Sequence, residues 1–208
     1  MKSYIIHFIR HGSIDDTLAG KYIGTTDAPL SDRGRMDLRK LDYEYKYPGT
    51  QVVFTSPLKR CTETAKILYP EQNPLVIDNL SECNFGEWEG KTADELKNDP
   101  DFEKWLAGDS SVKPPRGESN ADFTRRVCKI FESIVEGLMK TGTTESVIVT
   151  HGGVIMTLLA VYGLPQAKPF EWTMDNGFGY SLRVTPVLWQ RDKVCEVFQT
   201  IPLPSEND

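Results

Sequence analysis

Three histidines occur in the 208-residue chain, and two of them end apolar runs in the same manner. In "IIHFIRHGSID" (5–15) the run stops at Arg10, His11 and Gly12; in "SVIVTHGGV" (146–154) it stops at His151, Gly152 and Gly153. A third apolar run, "VVFT" (52–55), leads into "SPLKR", which ends on Arg60. Imidazole is a nucleophile and proton carrier near neutral pH. Guanidinium is a planar fork that matches phosphate oxygens, and Gly12, Gly152 and Gly153 let backbone approach a ligand closely. Singly these are ordinary residues; delivered to one place, they would hold a phosphoryl group and attack it. His7 lies inside its run and reads as a packed or supporting residue.

Delivery to one place is a demand on the fold. Strand candidates are 3–9, 51–55, 74–78, 146–150, 180–184 and 194–200, and helix candidates are 31–46, 57–69, 91–106, 119–140 and 152–162. The first and fourth strands are almost wholly apolar, the mark of strands covered on both faces. Alternation of strand and helix predicts an α/β fold, a three-layer α/β/α sandwich on a mixed, mainly parallel sheet. Ligands of such sheets sit at the carboxyl ends of strands, where Arg10, His11, Arg60 and His151 fall. Ser56 and Pro57 suit the N-cap and first position of the second helix. The last two strands are expected to follow one another without a helix and to pair antiparallel. The Pro/Gly/Ser stretch 107–119 reads as a lid, substrate loop or connector, and "PLPSEND" as a frayed tail.

Composition narrows the partners. The 39% hydrophobic and 26% charged content is that of a globular protein, and a net charge of −6 argues against a nucleic-acid binder. Four dispersed cysteines, without CxxC or CxxH spacing, argue against a metal knuckle and for a reducing compartment. The first apolar run is too short and too interrupted for a signal peptide, and no window is long enough to span a membrane. The expectation is one cytoplasmic domain over 1–208, with 80–120 as a partial helical and loop cap, without cofactor or metal.

Six stretches, in order, carry a family resemblance: "FIRHG" (8–12), "GTTDAPLSDRGR" (24–35), "FTSPLKRCTETA" (54–65), "LSECNFGEWEG" (80–90), "PRGESNADFTRRV" (115–127) and "VIVTHGGVI" (147–155). Together they resemble the histidine phosphatase superfamily in its phosphoglycerate-mutase-like branch. The resemblance implies that His11 is a nucleophile forming a phosphohistidine and that Arg10, Arg60 and His151 surround the phosphoryl group. It makes Glu82 the proton donor to the leaving alcohol, and adds Thr17, Gly24 and Gly152 to the phosphate-binding set. No metal is needed, because two arginines and a second imidazole can neutralise the equatorial oxygens. Those arginines are expected to lower the pKa of Glu82, against its role as an acid. An acidic to neutral pH optimum follows if bound phosphate opposes them. Glu87 and Glu89 read as a solvated acidic loop.

The resemblance leaves a phosphatase, a bisphosphoglycerate-dependent mutase, or a binding protein on the same fold. All five catalytic positions are filled, which speaks against the last. Mutases of this family carry an insertion after the acidic motif and a C-terminal extension; here the stretch 91–117 is short and the chain stops soon after its last strand, which favours the phosphatase. Within phosphatases, 17–31 and 114–127 resemble the α-ribazole phosphatases of cobalamin assembly, with broad-specificity or sugar-phosphate phosphatases as the alternative. The substrate is then a small phosphate monoester, and Phe85, Trp88 or Trp105 could stack on an aromatic leaving group. Departures from the family pattern fall at Ser13, Ile14, Thr17, Lys21 and Ile23. Asp15 and Asp16, near the expected mouth, would repel multiply anionic substrates. The oligomeric state, monomer or homodimer, is left open.

Overall fold

A computed structural model describes residues 2–109 and 111–204. In chain order it contains β1 (Tyr4–Arg10), α1 (Asp32–Glu44), β2 (Tyr45–Lys46), β3 (Val52–Thr55), α2 (Lys59–Leu68), β4 (Leu75–Val76), α3 (Ala93–Leu96), α4 (Pro100–Leu106), α5 (Asn120–Thr141), β5 (Glu145–Thr150), α6 (Gly152–Tyr162), β6 (Gly163–Leu164), β7 (Gly179–Val184), α7 (Pro186–Asp192), β8 (Cys195–Ile201) and β9 (Leu203–Pro204). The main sheet runs β4-β3-β5-β1-β7-β8-β6. β4, β3, β5 and β1 run parallel to one another, and β7 lies antiparallel between β1 and β8.

Strand alternation divides the apolar residues between two layers. Ile6 and Phe8 of β1 pack with Ile148, Leu182 and residues of α5, α6 and α7, including Phe131, Leu158 and Trp189. Ile9 faces the other way, with Val53, Val147 and Val149, against Leu38 of α1 and Cys61, Ala65 and Leu68 of α2. Successive side chains of a strand point to opposite faces. An unbroken apolar run therefore calls for helices on both sides, and the three-layer α/β/α architecture results.

All six expected strands form, the third shortened to two residues. The helix over 91–106 is instead two, α3 and α4. Asp99 is extended (ψ 117°) and caps α4 through its side chain, with Pro100 at the first helical position; the residue before a proline is driven out of the helical region. α2 begins two residues later than expected, with Leu58 at its N-cap and no side-chain cap. The Ser56 hydroxyl is bonded to His151 (2.8 Å) instead. A helix, α7, separates the last two strands after all, opened by Pro186. Leu203 and Pro204 are not frayed: they pair with Tyr45 and Lys46, while 205–208, like Ser110 of the 107–119 loop, lies outside the described residues. No described helix is long and apolar enough to cross a membrane.

Candidate active site

β1 and β5 run side by side with Arg10 opposite Thr150, and the His11 N–H extends the ladder to the Thr150 carbonyl (3.0 Å). The next residue, His151, leads into α6. The two imidazoles therefore meet because parallel neighbours end at the same level, and their ring centroids lie 5.2 Å apart, edge to face. Arg60 comes from the first turn of α2, behind β3. A cavity of about 510 Å³ opens here, walled by Arg10, His11, Arg60, Glu82, Gly152, Gly153 and Asn176 and rimmed by Ser13, Ile14, Asp15, Asp16, Lys21 and Ile23.

His11 is buried, and its Nδ1 lies 2.7 Å from the Gly12 carbonyl oxygen. A carbonyl only accepts, so Nδ1 carries the proton and Nε2 keeps its lone pair. Burial, reinforced by the positive charge of Arg60, lowers its pKa to about 3. The ring is therefore neutral at physiological pH. Asn176, from the loop before β7, donates its amide to the His11 carbonyl (2.8 Å), and Thr64 of α2 accepts the Gly12 N–H (2.9 Å).

Both arginines hang from carbonyls. Arg10 donates to Met174 O (2.8 Å), and its buried Nε has no hydrogen-bond partner. Arg60 is almost wholly buried, donating to Gly24 O (2.7 Å), Thr26 O (2.8 Å) and His151 Nδ1 (3.3 Å). Glu89 shapes the loop that offers those carbonyls. Its carboxylate accepts from the N–H groups of Gly24, Thr25 and Phe85 and from the Thr26 hydroxyl (2.6 Å). Glu89 is therefore no solvated loop residue, contrary to the sequence reading, whereas Glu87 is one, paired with Arg116 at the surface (2.9 Å). A Cβ on Gly24 would lie 1.8 Å from Cys83 O, so that loop can approach only with glycine there.

Glu82 sits across the cavity. Its carboxylate accepts from Cys83 N and Gly153 N (both 2.9 Å). A Cβ on Gly153 would come within 2.5 Å of Glu82 Oε1; glycine lets the α6 N-terminus meet the carboxyl. Burial pushes the Glu82 pKa up, outweighing the two backbone N–H groups and the arginines that pull it down. The expectation that arginines would dominate is corrected: the carboxyl is half-buried between the two backbone N–H groups and the cavity, and loss of hydration is the larger effect.

Other expected site residues are placed less directly. His151 is fully buried behind His11 and Arg60, bonded to Ser56 and packed on the Cys61 thiol (3.5 Å). It touches the cavity's walls without lining it. Gly24 likewise acts behind the wall, through Arg60. Thr17 is exposed and turned onto Asp15 (2.6 Å), outside the cavity lining. Gly152 lines the cavity beside Arg10. Asn176 was missed because nothing in "MDNGFG" marks it; only the antiparallel insertion of β7 beside β1 brings it to His11.

A second, more apolar cavity of about 720 Å³ shares Glu82, Gly153 and Met156 with the first and is lined by Phe85, Trp105, Phe123, Val161 and Phe170. Phe85 and Trp105 face it as part of an aromatic cluster with Tyr22, Trp88 and Phe102. Trp88 does not line it; it is core, its indole N–H bonded to Asp99 (2.9 Å). His7 is also structural, its ring held by Ser181 (2.8 Å) and Glu145 (3.2 Å).

Sequence and geometry converge on one class. The profile of the histidine phosphatase superfamily (branch 1) matches residues 6–195, and the chain belongs to that superfamily. Among its relatives, phosphoserine phosphatase 1 of Hydrogenobacter thermophilus is 29% identical over 174 residues, 81% of either chain. The adenosylcobalamin/alpha-ribazole phosphatase of Salmonella typhimurium is 25% identical over 199 residues, 93% of this chain and 92% of that one. The alpha-ribazole phosphatase of Shigella flexneri shares the fold at a TM-score of 0.78, with 23% identity over 98% of this chain and 100% of the other.

Proposed function

We propose that the chain is a phosphomonoesterase that works through a phosphohistidine at His11, with α-ribazole 5′-phosphate as substrate. The observation that carries the chemistry is the neutral His11 ring, with Nδ1 committed to Gly12 O and Nε2 left for attack. The Nε2 lone pair forms the N–P bond while the P–O ester bond breaks, and Glu82 gives its proton to the departing oxygen. The Nδ1–H bond to Gly12 O stabilises the charge that develops on the ring. Arg10, with an unengaged Nε, and Arg60 neutralise the equatorial oxygens, and the N–H of Gly152, in the first turn of α6, adds a donor. Water then attacks phosphorus, ionised Glu82 takes its proton, and the N–P electron pair returns to Nε2. His151 backs the His11 ring and holds Arg60. In this reading 80–120 is a partial cap on one domain.

The apolar cavity beside Glu82 supports the substrate assignment. A leaving group protonated by Glu82 has Phe85, Trp105 and Phe170 on the cavity side, surfaces on which a flat aromatic base packs well. A second reading rests on the polar rim. Asp15, Asp16 and Lys21 complement an ammonium and a carboxylate, as in phosphoserine, and one relative is a phosphoserine phosphatase.

The test is phosphate release, in EDTA, from α-ribazole 5′-phosphate, O-phosphoserine, 3-phosphoglycerate and p-nitrophenyl phosphate, for the parent enzyme and His11→Ala. Preference for α-ribazole 5′-phosphate, lost in His11→Ala, is the expected result. Preference for O-phosphoserine would shift the substrate to the second reading. Isomerisation of 3-phosphoglycerate without phosphate release would make the chain a mutase.

A further inference from the structure

We infer that Arg126 and Glu118 form a positioning pair for Glu82, setting where the proton donor stands; this rests on Glu82 acting as the acid. Both belong to "PRGESNADFTRRV", a stretch for which the mechanism above has no use. Arg126 reaches from α5 to the segment that carries Glu82. Its Nη1 donates to Asn79 O and Ser81 O (both 3.0 Å), and its Nη2 to Glu82 O (3.3 Å) and Glu118 Oε1 (2.6 Å). Nε donates to Glu118 Oε2 (3.3 Å). A guanidinium has five N–H groups in a fixed fork, and all five are engaged.

Three of those acceptors are main-chain carbonyls within four residues ending at Glu82. The fourth carbonyl of the run, Leu80 O, takes the hydroxyl of Thr150 on β5 (2.7 Å). Glu118 secures the other side: Oε1 accepts the Asn84 N–H, and its own N–H donates to Asn84 O (both 2.9 Å). The segment 79–84 contains only a single turn of 3-10 helix, Asp78–Leu80, so it lacks a repeating backbone ladder through Glu82. Its main-chain carbonyls at 79–82 and the Asn84 amide are held by the guanidinium, the carboxylate and one threonine. Arg126 and Glu118 are themselves only about one-fifth exposed or less, at 21% and 17% of side-chain area, so the pair is poorly screened and geometrically constrained. Lysine could not replace the arginine, because three rotating donors cannot span three carbonyls and a carboxylate.

A positioning role makes a specific kinetic demand. Proton donation matters little to p-nitrophenolate and much to phenolate. A displaced Glu82 should therefore cost most on the poorer leaving group. The experiment measures kcat/KM on a series from p-nitrophenyl to phenyl phosphate, which reports N–P bond formation without the later hydrolysis. Glu82→Gln serves as reference, expected to lose about a hundredfold more on phenyl than on p-nitrophenyl phosphate. Arg126→Lys and Glu118→Gln should lose about tenfold more on phenyl phosphate, and neither should add a leaving-group-dependent loss in combination with Glu82→Gln. Glu118→Gln keeps the shape of the site, so the test survives if the arginine variant does not fold. Uniform losses in both variants, against a selective loss in Glu82→Gln, would overturn the positioning role alone. A uniform loss in Glu82→Gln would overturn the role together with the assignment of Glu82 as acid.

Discussion

The two walls of the cavity are built by different means. On one side Arg10, His11 and Gly152 stand at strand ends and helix starts, and backbone register places them. β1 and β5 are hydrogen-bonded neighbours, so residues just past their ends must converge. On the other side Glu82, Phe85 and Trp105 come from 80–120, which holds only short helices and 3-10 turns. There the chain is fixed by side chains: Arg126, Glu118, Glu89 and the aromatic cluster. A wall held by register can change little without losing the sheet, whereas a wall held by side chains can be rebuilt residue by residue. The first therefore suits the generic phosphoryl end of a substrate and the second its variable end.

That division can be broken experimentally. The largest effect expected is in His11→Ala, with at least about four orders of magnitude lost in kcat/KM on every substrate. Next is Glu89→Gln, which touches no substrate but loosens the loop that holds Arg60; about a tenfold to hundredfold loss is expected on all leaving groups alike, with weaker competitive inhibition by inorganic phosphate. Trp105→Ala is smaller and selective. We expect about a tenfold rise in KM for phenyl phosphate and no change for O-phosphoserine. Equal losses on both would place Trp105 with the phosphoryl wall and end the distinction.

The pH dependence separates the walls again. His11 stays neutral down to a pKa of about 3, so it sets no acid limb in the neutral range. In the proposed mechanism Glu82, raised by burial, acts in its protonated form, so kcat/KM should fall on the alkaline side. Glu82→Gln should remove that limb. Stability moves the other way. All three histidines have pKa values lowered mainly by burial, so the unfolded chain binds more protons below its histidine pKa of about 6.5, and their contribution is lost as pH falls from there. Glu82, shifted upward, opposes them as a single group. Urea unfolding at pH 7.5 and 5 checks the sign, and the pH slope should flatten in His7→Gln. That variant is the smallest change: about 1 kcal/mol of stability and unaltered kcat/KM, since His7 bonds only Ser181 and Glu145.

The same contrast explains what could be read without coordinates. Apolar runs ending in Arg10-His11 and His151 announce strand ends, and β-branched composition places them in a covered sheet. Glu89 looked solvated because nothing in "GEWEG" shows that its carboxylate collects the amides of residues 24–26. Glu82 looked easy to ionise because a sequence shows nearby arginines but not enclosure. Thr17 filled a place in a motif, yet Asp15, two residues earlier, captures it. Side-chain closure over long separations leaves no local periodicity, so these features emerge only from the fold.

In the proposed mechanism the bond from His11 Nδ1 to Gly12 O also directs the regiochemistry of the covalent intermediate. While that bond holds, phosphorus attaches at the ring nitrogen remote from the backbone, giving the τ isomer rather than the π isomer. Its P–N linkage would survive alkali and be lost in acid. Reagents that tell the two isomers apart would thus reveal whether the Gly12 carbonyl kept its hold on the ring throughout turnover.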